Sequence, residues 1–158
     1  MTDSSPPSGM NQTVFHVERI YLKDLSFENP HAPESLREKP DPKMDFNLDT
    51  SAVKKGPEHF EVSLHLSIKV KSGDKIMFLV DVTQAGLFLL RHFPEEHLAM
   101  TLGIECPHIL FPFARQVIAH LVGEGGFQPL ILDPINFASL FQQARARELE
   151  AQRTAGTA

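Results

Sequence analysis

The sequence predicts an α+β fold: a four-stranded antiparallel sheet with two main helices packed on one side. Three observations carry this expectation. Four segments with strand character fill the first half of the chain. A Ser72-Gly73-Asp74-Lys75 turn joins the third and fourth of them as a hairpin. Helical spacing begins only after Pro94. The 158 residues match one domain, and an apolar share of 42% supplies a core.

Residues 1–13 hold almost no core formers and predict a disordered tail, leaving 14–152 as a single domain. The first strand, 14–28, has apolar pairs at Phe15/Val17, Ile20/Leu22 and Leu25/Phe27. Parity flips between successive pairs, so this strand must bend or bulge. Four prolines between Asn29 and Lys43 predict a long extended connection. In the second strand, 43–50, Met44, Phe46 and Leu48 alternate with polar neighbours. The third, 58–71, alternates Phe60, Val62, Leu64, Leu66, Ile68 and Val70 with polar residues. The fourth, 76–83, has an apolar even face and a mixed odd face carrying Leu79 and Asp81.

Pro94-Glu95-Glu96 opens a helical stretch with an acidic first turn, and Cys106-Pro107 is expected to restart a helix. There Ile109, Phe113, Val117 and Leu121 recur at spacing four, while Leu110, Phe111, Ala114, Ile118 and Val122 fill the neighbouring stripes. A helix so apolar around its circumference needs cover on several sides, and a subunit interface is the natural source. Asp133-Pro134 reads as an N-cap and first turn for a last helix over 135–152. Residues 153–158 are expected to be a second disordered tail.

Net charge is −5, so nucleic acid is a poor default partner. No apolar run reaches the ~18 residues of a membrane span. The amino terminus has no signal-peptide pattern, and the single cysteine suits a reducing, cytoplasmic setting. No Walker loop, GxGxxG, HExxH, CxxC or GxSxG motif occurs, so no cofactor, metal or enzymatic activity is expected. The eight histidines are scattered without ligand spacing and read as surface or locally satisfied imidazoles. Cys106 has two readings: a small buried thiol, or a nucleophile activated at a helix start in a thiol-dependent or small-molecule-binding homo-oligomer. Asp24 and Glu28 share strand parity, and with Asp81 and Leu79 they read as a solvated sheet face or as a docking patch for a basic partner. The large apolar groups Met44, Phe46, Leu48, Phe137 and Phe141 read as core or as an exposed groove for apolar peptide.

Four runs resemble the SecB family of bacterial protein-export chaperones: RIYLKDLSFENPHAP (19–33), FLVDVTQAGLF (78–88), LGIECPHILFPFAR (102–115) and GGFQPLILDPINFASLF (125–141). They keep the family's order and spacing over residues 14–141. Pro40 stands where relatives often carry Trp, and the tail from Ala144 departs from tails that help engage the partner ATPase. The resemblance implies a homotetramer built as a dimer of dimers, with the helix from Pro107 to Val122 at an interface. It implies an ATP-independent holdase that binds unfolded precursor proteins and delivers them to the SecA ATPase. A SecB-like chaperone dedicated to a single partner, such as an antitoxin, is the alternative. Asp24, Glu28 and Asp81, with Leu79 beside them, map onto the SecA-docking positions. Met44, Phe46, Leu48, Phe137 and Phe141 map onto the client groove.

Overall fold

A computed structural model describes residues 12–156. The predicted amino-terminal tail lies outside these residues except for Gln12 and Thr13, which carry no regular structure. The elements are β1 (Val14–Glu28), a 3-10 turn (Glu34–Leu36), β2 (Pro42–Lys54), β3 (His59–Ser72), β4 (Lys75–Arg91), α1 (Glu95–Met100), a π-helical segment (Thr101–Glu105), α2 (Cys106–Glu124) and α3 (Phe137–Ala155). The four strands form one antiparallel sheet in the order β1-β4-β3-β2. Consecutive strands β1 and β2 thus occupy opposite edges, and the proline-rich connection carries the chain from one to the other.

The parity flips in β1 have a physical counterpart. Its register against β4 shifts between Val17 and Arg19 and again between Leu22 and Asp24. Each shift bulges one residue, Glu18 and then Lys23, out of the ladder. As a result Phe15, Val17, Ile20, Leu22, Leu25 and Phe27 all stand opposite even-numbered residues of β4, on one face.

That face carries the core. The even residues Val62, Leu64, Leu66 and Ile68 of β3 and Val80, Val82 and Phe88 of β4 are buried. α2 covers them with Leu110, Phe111, Ala114, Ile118 and Val122. Each such side chain contributes about 1.5–3 kcal/mol on burial, so the two central strands and one helix hold most of the stability. Gly73 (φ 62°) supplies the left-handed backbone of the β3–β4 turn. No described element covers the other sheet face.

Several boundaries differ from expectation, among them the end of β2, at Lys54 rather than 50. β4 runs to Arg91, beyond the predicted end at 83. Gln84-Ala85-Gly86 interrupts its apolar alternation, but hydrogen bonding to β1 and β3 on both sides sustains it. α2 starts at Cys106 with Pro107 in its first turn, as expected, but without a break before it: α1, the π-helical segment and α2 run on as one helical stretch. Pro107 has no N–H and its ring crowds the preceding turn, and the widened π turn before it accommodates both defects. α3 is capped by Asn136, whose Oδ1 accepts from Ser139 N at 3.0 Å, and not by Asp133. It continues through Ala155, so the predicted tail from 153 is helical there. Among the described residues no helix is long and apolar enough to cross a membrane.

Candidate functional site

Strand alternation sends the two predicted residue sets to opposite faces of the sheet. On the open face, β4 presents Leu79 and Asp81. Across β1, Glu28 stands opposite Leu79, Ser26 opposite Asp81, and Asp24 opposite Thr83. The four predicted docking residues therefore share one patch around two adjacent strands. β3 borders it with Lys69 beside Leu79 and His65 beside Thr83. His65 Nε2 lies 3.2 Å from Asp81 Oδ1, a contact that single-strand periodicity could not reveal. Farther along this face, the Tyr21 hydroxyl donates to Glu61, and Lys23 Nζ donates to Glu61 Oε1 at 2.7 Å. Burial, and then the Glu61 carboxylate, push Tyr21 up to about 12. The hydrogen bonds from Lys23 and Tyr21 hold Glu61 below the usual carboxylate range.

On the helix side, Met44, Phe46 and Leu48 form a row along β2. Met44 is 48% exposed and Phe46 37% exposed, while Leu48 is half-buried against the core. One end of the row opens into a hollow of about 420 Å³ bounded by Val70, Met77, Phe78, Phe127 and Leu130. The other end meets a cleft of about 330 Å³ between β2, Gly103 and the α3 residues Leu140, Phe141 and Ala144. Phe141 is half-buried on that wall. Phe137 departs from its expected contact role. It is only 3% exposed, packed edge-on against Phe111 with ring centres 6.0 Å apart, and serves as floor beneath the cleft. Phe127, Leu130 and Gly103 were not singled out from the sequence. For Phe127 and Leu130 the signal was a connector, Phe127 to Leu132, more apolar than a solvated loop requires; Gly103 carried none.

A third hollow, about 460 Å³, lies between β1 and α2 and is lined by Leu22, Leu25, Phe113, Val117 and Leu121 among others. Phe113 is 46% exposed and Leu22 42% exposed. Gln84, which also lines it, has a buried Oε1 with no hydrogen-bond partner. The spacing-four stripe of α2 is thus only partly covered: Ile109, Val117 and Leu121 are half-buried at the edge of the core and Phe113 is exposed.

Cys106 is buried at the α2 start. Burial, and then the nearby Glu105 charge, push its thiol up to about 12. A thiol so buried and so raised fits the small core thiol rather than the nucleophile of the two readings.

Comparisons with known proteins agree with this architecture. A family model described as preprotein translocase subunit SecB matches residues 8–148. The protein-export protein SecB of Magnetococcus marinus is 50% identical over 96% of this chain and 98% of that protein. Those of Acidithiobacillus ferrooxidans and Chromobacterium violaceum are 49% and 42% identical, over 87% and 89% of this chain and 93% of each relative. Among solved structures, the Mycobacterium tuberculosis SecB-like chaperone in complex with an antitoxin peptide superposes with a TM-score of 0.64. That match has 18% identity, covers 77% of this chain and 90% of the other, and speaks to the fold. With the family model spanning nearly the whole chain and curated relatives at half identity, the chain belongs to the SecB family of protein-export chaperones.

Proposed function

We propose that the chain works in the cytoplasm as an ATP-independent holdase, binding unfolded precursor proteins along β2 and presenting them to the SecA ATPase through the opposite sheet face. The row Met44-Phe46-Leu48, which joins an apolar hollow to a cleft of mixed lining that also holds Asp49 and Arg147, is the observation that carries the client reading. An unfolded chain offers large side chains that a folded one hides, so exposed apolar surface separates the two without reading sequence. Binding the unfolded state delays folding by mass action alone, with no fuel.

Asp24, Glu28 and Asp81, with Leu79 as the apolar centre, are the docking patch for a basic surface of SecA. Four copies assemble as a dimer of dimers, which buries the stripe Ile109, Phe113, Val117 and Leu121 and offers Gln84 a partner. Client and ATPase then use different faces of each subunit.

Light scattering from a refolding precursor tests the holdase. Near-stoichiometric assembly without nucleotide should suppress aggregation. The double variant Phe46→Asp, Phe141→Asp should remain assembled but lose the suppression; normal suppression would place the groove elsewhere. Asp24→Lys with Asp81→Lys should weaken SecA docking and spare client holding. Equal loss of both activities would contradict separate faces.

A further inference from the structure

We propose that His65 tunes the docking patch by competing with the basic partner for Asp81, so that docking strengthens as the imidazole gives up its proton. The inference rests on the docking reading given above. His65 Nε2 is 3.2 Å from Asp81 Oδ1, and the two side chains remain 42% and 44% exposed. Both are therefore reachable by a partner resting on the open face. Asp49 of β2 is the cross-strand neighbour of His65, so an acidic residue stands beside it on β2 as well as Asp81 on β4. The remaining neighbours are Thr83 across β4, then Asp24 beyond it on β1. Along β3 itself stand Ser63 and Ser67, with Glu61 and Lys69 one step farther. Glu61 is already engaged by Lys23 and Tyr21. No described element packs over the group.

Histidine is the side chain whose charge changes between about pH 5 and 8. When His65 is protonated, it pairs with Asp81 and cancels one of the charges a basic partner would use. The partner must then displace a cation already in place. When His65 is neutral, Asp81 keeps its full charge, and the weaker neutral hydrogen bond is easily exchanged for a lysine or arginine. Leu79 does not change across this range, so apolar contact persists while the electrostatic part of docking varies.

The test is equilibrium binding of SecA to the assembled protein across about pH 5.5 to 8 at fixed ionic strength, compared among wild type, His65→Gln, His65→Arg and Asp81→Asn. Wild-type affinity should rise by about two- to five-fold toward high pH beyond any slope seen with His65→Gln, the size expected of one exposed ion pair. His65→Gln should bind at low pH as tightly as wild type does at high pH, and His65→Arg should stay weak throughout. Native mass spectrometry and client holding, which uses the other face, should be unchanged in all of them. A His65→Gln profile with the full wild-type slope overturns the inference while leaving docking intact. Unaltered affinity for Asp81→Asn at every pH removes the docking reading and the inference with it.

Discussion

Gly103 decides how closely α3 can lie against the π-helical segment. A Cβ at that position would fall 2.5 Å from Phe141 Cδ2. The ring must swing away or α3 must retreat, and retreat is the easier course because Phe137 is the only buried residue of α3. Gly103→Ala should therefore cost about 1 kcal/mol, the low end of overpacking penalties, and weaken client binding several-fold. Urea unfolding and client titration on the same variant read both effects. Glu61 gives a pH prediction. Its folded-state pKa lies below the ordinary value of 4.5, so its stabilisation is fully present above that value and is lost as pH falls through the lowered one. Lys23 is 50% exposed, and solvent screening limits the effect to about 1 kcal/mol or less. Glu61→Gln should be less stable than wild type at neutral pH, and the two denaturation midpoints should converge in acid. A constant difference down to the acid transition would contradict this account.

Among the elements, legibility followed the range of the interactions. β3 was readable because its alternation reflects burial on one face alone, and β1 because each bulge leaves a parity flip in the sequence. The β1–β4 pairing was not readable from composition or periodicity, since it joins the first and fourth strands. For the same reason neither the His65–Asp81 contact nor the hollow that brings Phe127 against Phe78 could be derived, because register and topology create them. The end of β4 was missed because Gly86 and Ala85 look like breakers when their two flanking strands are unknown. The start of α3 was misplaced because Asp133 and Asn136 are both competent caps, and only Asn136 faces a free N–H. The partly covered stripe of α2 was visible at once as an excess of apolar residues. Phe113→Asp on that stripe should split the tetramer, with native mass spectrometry reporting smaller species and circular dichroism an unchanged fold. A tetramer that survives the charge would show that the stripe is not an interface.

For the whole molecule, the proposed tetramer would set the affinity for clients. Three or four client side chains at about 1.5–3 kcal/mol each give roughly 5–12 kcal/mol gross. Ordering the unfolded segment removes about 2–5 kcal/mol and lost rigid-body freedom about 4 kcal/mol or more, so one groove holds weakly. Several grooves on one particle can raise avidity by about 10²–10⁴-fold. The split Phe113→Asp variant should therefore bind a long precursor far more weakly than the tetramer, yet bind a short peptide that fills one groove equally well. Comparable losses for both ligands would mean that the substitution damages the groove itself.

The fourth strand serves both faces at once, with Phe78, Val80 and Val82 turned one way and Leu79 and Asp81 the other. A slip of one residue in the register of β4 from Leu79 onward would invert that order, driving a carboxylate into the hydrocarbon interior and turning valines out to water. The edge strand β1 absorbs two supernumerary residues as bulges because only one neighbour constrains it. β4 takes its own bulge, at Met77, only where β3 is its single neighbour. From Leu79 to Leu89 it is paired on both sides, so natural length variation in this molecule should accumulate in β1, the loops and the β3–β4 turn and stop at that doubly paired stretch.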